Sequence, residues 1–296
     1  MKLKIKDFKN IESADIILDG ITVICGENGT GKSNIIKAAK AIGLSSFYFN
    51  KGIVNDTQEA FKRGFHNIFK CGSYVRDKLS AFITVENNEK IDVGCAIKEN
   101  KFYNVFIDNN FSSNFLLYDK QDINHSKLMG RSGNSDYRKI DYKSEKLDNL
   151  LSNIDIEKNL DYPNLPAGIL PFAHIKKLLN YSNLNKGDTI LIDDAEKNLH
   201  PKWQISFAIA LYEFMRATEV NVLLSTHSPY MVESIELIDP NAHFYFIEND
   251  KCNDVTDDSW KIYYGMATPL KAVEKGVNAI YESFASPIED FSNKVK

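Results

Sequence analysis

The sequence predicts an α/β fold with a mostly parallel core sheet flanked by helices, an N-terminal antiparallel β-subdomain and an inserted lobe. Three observations predict it. The stretch GENGTGKS, residues 26–33, stands between an apolar run (ITVIC) and a helical pattern (NIIKAAKAIGL). The runs TILI and NVLLST are continuously apolar and alternate with amphipathic helices, as strands covered on both faces do. The opening residues KLKIK and ADIIL alternate or cluster in the manner of short strands.

Taken in order, KLKIK and ADIIL are strands, and the Asp19-Gly20 turn predicts a hairpin feeding the strand ITVIC. The helix after Ser33 places Ile35, Ile36, Ala39 and Ile42 on one side and ends near Gly43. FKRGFHNIFKCG, with its glycines and basic residues, reads as a loop. LSAFITVE and IDVGCAIKE are strands joined by NNEK, and KFYNVFID and NFLLYD continue an inserted antiparallel sheet. Residues 124–146 are polar and Gly/Ser-containing, readable as a lid or as an insertion without a role. Leu147–Leu160 is a helix, and LPAGILPFAHIKKLLNYS is a loop and then a helix. GDTILIDDAE is a buried strand ending in acids, PKWQISFAIALYEFMRATE a helix, and NVLLSTHS a second buried strand followed by a helix from Pro229. AHFYFIEND is the last strand, and the tail from Leu270 is helical. One domain over 1–296 results: a core lobe from 1–50 and 163–250, an inserted β/helical lobe at 51–162, and a helical tail at 251–296.

Composition narrows the function classes. The 296 residues are 43% apolar and 26% charged, which is ordinary for a globular protein, and no apolar run is long enough to span a bilayer. The charged N-terminus has no signal-peptide core, so a cytoplasmic location is expected, with no membrane partner. The four cysteines are widely spaced, which argues against structural zinc and a disulfide framework. The net charge of -4 does not predict a basic nucleic-acid groove.

The chemistry begins at Gly26, Gly31, Lys32 and Ser33, which satisfy GxxxxGK[ST]. Such a loop turns backbone N–H groups inward around phosphate oxygens, and the next helix points its positive end at them. Lys32 is expected to reach the β/γ-phosphates and Ser33 to ligate Mg²⁺. Asn28, Gly29, Thr30, Gly31, Lys32, Ser33 and Asn34 form the expected ATP-binding set. A phosphate loop needs a carboxylate for the metal at the end of a neighbouring buried strand. Asp193 is that partner, and Asp194 can polarise the attacking water; the plain alternative for this acidic pair is a helix cap or turn. His227 ends the next strand, where it can contact the γ-phosphate or simply cap the following helix.

These residues carry a resemblance. MKLKIKDFKNIESADI, ITVICGENGTGKSNIIKA, LPAG, TILIDDAEKNLHPKWQ and LLSTHSPYMV together resemble ABC-type ATPases. Within that class the chain is similar to the SMC/RecF-like branch and to prokaryotic defence ATPases of the OLD, Gabija and Septu (PtuA-like) kind. The match covers the first 45 residues and roughly 163–235. The resemblance implies that Lys32 and Ser33 are the Walker A pair, Asp193 the Walker B aspartate and His227 the switch histidine. Asp194 stands where the family usually has the catalytic glutamate, and Glu196 matches the second acid of DEPE. The catalytic set is therefore Asp194, His227 and Glu196, and the metal set Ser33, Asp193 and, after NFLLYD, Gln121, whose other reading is an exposed loop residue. Asn198–Pro201 occupy the D-loop region. Leu165-Pro166-Ala167-Gly168 resembles a degenerate signature motif, so Ala167 and Gly168 would contact ATP held by a second copy in a head-to-tail dimer.

Two departures bear on activity. Asp194 is one methylene shorter than glutamate, which implies a slow ATPase, and Ala167 lacks the hydroxyl of the usual signature serine. The sequence holds no nuclease constellation and no long heptad region, and the resemblance implies an ATPase that regulates a separate effector, such as a nuclease, in anti-phage or anti-plasmid defence. The alternatives are a RecF/SMC-like repair or chromosome-maintenance ATPase, with DNA as partner, and a non-hydrolysing ATP-dependent scaffold.

Overall fold

A computed structural model describes residues 1–69, 81–98, 101–107, 115–118, 144–152, 166–181, 184–259 and 261–262. Eleven strands and six helices are present among them: β1 (Lys2–Phe8), β2 (Ile11–Ile17), β3 (Ile21–Cys25), α1 (Lys32–Asn50), α2 (Thr57–Phe69), β4 (Ala81–Asn87), β5 (Lys90–Lys98), β6 (Lys101–Ile107), β7 (Phe115–Tyr118), α3 (Glu145–Leu151), α4 (Leu170–Tyr181), β8 (Thr189–Ile192), α5 (Pro201–Thr218), β9 (Asn221–Thr226), α6 (Pro229–Ile238), β10 (His243–Glu248) and β11 (Lys251–Asp254). All the strands join one sheet in the order β6-β5-β4-β1-β2-β11-β10-β3-β9-β8-β7. The half around β3 is parallel, from β10 across β3, β9 and β8 to β7. The other half, β6 to β2, is antiparallel. The two halves meet where β11 runs parallel to β2 and antiparallel to β10.

The α/β fold expected from the sequence is thus the fold observed. Its core strands are buried on both faces because successive side chains feed two separate cores. Ile24, Leu191, Leu223, Tyr245 and Ile247 point into a core shared with α1 and α2. Their neighbours Val23, Ile190, Ile192, Val222, Leu224 and Phe244 point into a core shared with α4, α5 and α6.

Five expectations are corrected. The Asp19-Gly20 turn does not make a hairpin: β10 and β11 lie between β2 and β3. All five residues of β3 are buried, and it takes parallel neighbours on both edges, a place a hairpin partner cannot fill. The hairpin is instead β1–β2, closed over Lys9-Asn10 with Phe8 opposite Ile11. The first helix runs past Gly43 to Asn50. The supposed loop FKRGFHNIF is α2, whose Phe61 and Phe65 are buried and stack with centroids 6.2 Å apart. Gly64 is there for proximity: a Cβ on it would lie 2.2 Å from Ser45 Oγ and 2.7 Å from the Ala41 carbonyl of α1. NFLLYD does not extend the antiparallel wing; β7 pairs parallel with β8 at the opposite edge of the sheet. Residues 251–254, expected to open a helical tail, form β11, paired to β10 from Tyr245↔Asp254 to Glu248↔Lys251. Of the helix expected at 147–160, the described part is Glu145–Leu151, where Ser144 Oγ caps by accepting the Leu147 N–H. Nearly all of the 124–146 loop, and the tail from Leu270, lie outside the described residues. Among the described residues no helix is long and apolar enough to cross a membrane.

Candidate functional site

The C-terminal ends of β3, β8 and β9, adjacent in the sheet, carry the three motifs to one edge. β3 runs into residues 26–31, and Gly31 caps α1 at φ 111°, in the left-handed region. A side chain there is excluded twice over, by that backbone angle and by Ile11 Cδ1, which would be 2.4 Å from a Cβ. Asn10, in the β1–β2 turn, braces the loop from outside. Its Nδ2 donates to the Gly29 carbonyl at 3.0 Å, and its Oδ1 accepts from Asn34 Nδ2 at 2.7 Å. Thr30 Oγ1 donates to the Glu27 carbonyl at 2.9 Å, and Asn28 is exposed.

Lys32 is 5% exposed, and its ammonium donates to the carbonyls of Gly26 (2.8 Å) and Glu27 (2.7 Å). Three donors and two acceptors leave one proton without a protein partner among the described residues. Burial pulls the Lys32 pKa below its ordinary value, while Asp194, Glu196 and Asp193 pull the other way. Among the described residues the N–H groups of Asn28, Gly29, Gly31, Lys32 and Ser33 likewise have no protein acceptor. A cation with a spare proton beside uncommitted N–H groups at a helix start is chemistry that suits a phosphate chain.

Ser33 Oγ donates to Asp193 Oδ1 at 2.9 Å, joining α1 to the end of β8. The same oxygen accepts Ser225 Oγ–H from β9 at 2.6 Å. Ser225 Oγ in turn accepts the Asp194 N–H at 2.9 Å, and the Ala195 N–H bonds the Ser225 carbonyl at 2.9 Å. Asp194 stands at φ 53°, and its carboxylate has no hydrogen bond or ion pair among the described residues. Two positions on, Glu196 is buried and accepts from Thr226 Oγ1 at 2.6 Å and from the His227 N–H at 2.8 Å; His227 Nδ1 lies 2.5 Å from its Oε1. The carboxylates of Asp194 and Glu196 and the His227 ring bring one ligand atom each within 4.8 Å of one another.

The structure therefore brings Lys32, Ser33, Asp193, Asp194, Glu196 and His227 together. Ala167 and Gly168 lie in the turn before α4, where a Cβ on Gly168 would stand 3.7 Å from the Asn198 carbonyl. Gln121 lies outside the described residues. His200 and Pro201 of the LHP run start α5, with His200 Nδ1 accepting the Lys202 N–H at 3.3 Å. Sequence reasoning missed Asn10, Ser225 and Thr226. For the last two the signal was present: two hydroxyls end a buried strand immediately before His227. For Asn10 no local pattern pointed to a loop nineteen residues away.

Residues 173–233 match a family model described as "AAA domain, putative AbiEii toxin, Type IV TA system". The match spans the acidic turn and His227 but not the phosphate loop. Among solved structures, the chain is similar to the SMC head domain from Thermotoga maritima, at 16% identity, covering 86% of this chain and 97% of that one with a TM-score of 0.47. An SMC head bound to the C-terminal winged-helix domain of ScpA gives 15%, 86%, 96% and 0.47. The structure of cbiO1 from Clostridium perfringens, part of the ABC transporter complex cbiONQ, gives 14%, 95%, 98% and 0.41. No curated protein matches the sequence.

Proposed function

We propose that the chain binds ATP at residues 26–34 and hydrolyses it, closing as a head-to-tail dimer around the nucleotide to regulate a separate effector. One observation carries the reading. A buried lysine with an uncommitted proton lies next to a hydroxyl–carboxylate pair, Ser33 and Asp193, 2.9 Å apart at the ends of α1 and β8. Lys32 and the loop N–H groups bind and orient the β- and γ-phosphates. Ser33 Oγ and Asp193 Oδ1 are hard oxygen donors that suit Mg²⁺, which when bound neutralises charge on the phosphate chain. Asp194, whose carboxylate is uncommitted, orients a water and accepts its proton as the water oxygen bonds to the γ-phosphorus. The bond between that phosphorus and the bridging oxygen of ADP breaks in the same displacement.

Ala167 and Gly168, in the turn before α4, contact a nucleotide held by a second copy. A role in prokaryotic defence is favoured by the description of the family matched over residues 173–233. A second reading, a scaffold that binds ATP without turnover, is favoured by Asp194, one methylene short of the glutamate expected there.

Nucleotide binding and single-turnover hydrolysis by the wild type and Lys32→Ala test the proposal. The wild type is expected to bind and turn over ATP, and the variant to keep its fold and lose binding. Equal binding by both overturns the site, and binding without turnover leaves the scaffold. An effector that co-purifies and responds to Lys32→Ala supports the regulatory role.

A further inference from the structure

The two carboxylates of the acidic turn differ in what already occupies them. Asp194's side chain is uncommitted among the described residues, whereas Glu196 is 7% exposed and surrounded by donors. Thr226 Oγ1 accepts the Ser228 N–H at 3.0 Å, and its own proton goes to Glu196 Oε2 at 2.6 Å. Glu196 Oε1 takes the His227 N–H at 2.8 Å and faces His227 Nδ1 at 2.5 Å. An ionised carboxylate only accepts. Three of its about four acceptor positions are therefore filled, and the group is buried, so Asp194 is the more open carboxylate for a water.

The same contact orders the histidine. A neutral imidazole carries its proton on one nitrogen, and the partner of that nitrogen decides which. With Nδ1 against a carboxylate, the proton belongs on Nδ1, and Nε2 becomes an acceptor on the opposite side of the ring. The side chain of His227 is 48% exposed, so that opposite side is accessible.

We propose that Glu196 is a positioning residue and not the base: it fixes His227 as the Nδ1–H tautomer and turns Nε2 toward the nucleotide. Asp194 is then the carboxylate that meets the attacking water. The proposal rests on the ATP-hydrolysis reading above and assigns separate roles to the two acids within it.

Two measurements on the full chain test it. The first needs no turnover: long-range ¹H–¹⁵N correlation of the nucleotide-free protein, with the His227 signal identified by its loss in His227→Gln. On the neutral ring the expected result is a proton on Nδ1. A proton on Nε2 overturns the proposal. The second is steady-state hydrolysis. Glu196→Gln keeps an oxygen for His227 and a neutral partner for Thr226, and is expected to hold kcat within about fivefold of the wild type. Glu196→Ala is expected to lose roughly a hundredfold in kcat with KM nearly unchanged, and Asp194→Asn at least as much. If Glu196→Gln falls as far as Asp194→Asn, Glu196 is the base and the proposal fails. Wild-type protein without turnover sinks the hydrolysis reading instead, and the tautomer still decides whether Glu196 fixes the ring.

Discussion

Ser225 Oγ accepts the backbone N–H of Asp194 at 2.9 Å while donating its own proton to Asp193 at 2.6 Å. One hydroxyl therefore holds the side chain of one acid and the backbone of the next, at the point where Asp194 turns to φ 53°. Ser225→Ala removes both bonds from a fully buried position. It is expected to cost about 1–3 kcal/mol of stability. Hydrolysis should fall by about tenfold or more, while the protein still folds. Thermal unfolding beside single-turnover rates checks this, and an unchanged rate would show that the turn holds itself.

Asn10 acts on the phosphate loop without belonging to it. Asn10→Ala removes the bonds to the Gly29 carbonyl and to Asn34. The expected outcome is nucleotide affinity weaker by roughly five- to thirtyfold, equivalent to about 1–2 kcal/mol. The melting temperature should move little, because Asn10 sits in a surface turn. Titration with a fluorescent ATP analogue measures the effect.

Gly64→Ala reverses the usual rule for helices. Alanine in place of an interior glycine ordinarily gains about 1 kcal/mol. Here the added methyl would stand 2.7 Å from the Ala41 carbonyl and 2.9 Å from the Ser45 nitrogen, both backbone atoms that a rotamer change cannot clear. A net loss of about 1–3 kcal/mol is expected in denaturant unfolding, and a variant as stable as the wild type would contradict the close crossing of α1 and α2.

Tyr245 gives the fold an alkaline limit. Burial pushes its hydroxyl pKa up to about 12 from the ordinary 10.0, against the Ile17 N–H that it accepts at 2.9 Å. Since the folded state favours the neutral phenol, its contribution is complete below pH 10.0 and fades as pH rises toward about 12. Tyr245→Phe is expected to lower stability by about 1 kcal/mol at neutral pH, through the orphaned Ile17 N–H. The gap between wild type and variant should shrink above pH 10.0; a gap that widens there contradicts the assignment.

The phosphate loop, the acidic pair and His227 were legible because each is a local pattern: a glycine spacing, or an apolar run ending in polar residues. The sheet neighbours of those strands were not. Nothing in Asp19-Gly20 says that two strands from the far end of the chain will separate β2 from β3, since parallel pairing is settled between segments more than two hundred residues apart. Gly64 misled for a related reason. A glycine reads as a break when seen alone, and as a contact only when Ser45 is seen against it. NFLLYD fits either edge of the sheet by composition, and Thr189–Ile192 claims it by register. In the site, Asp194 and Glu196 look equivalent as letters; only the hydroxyl and N–H groups of Thr226 and His227 tell them apart.

α1 begins at Lys32, beneath the phosphate loop, and meets Gly64 at Ala41 and Ser45. At 1.5 Å per residue those points are roughly 14 to 20 Å apart along an unbroken rod. One continuous helix therefore ties the phosphate loop to α2, and α2 in turn sets Phe65 against Phe102 of the antiparallel wing, so the loop and the wing share one line of packed contacts.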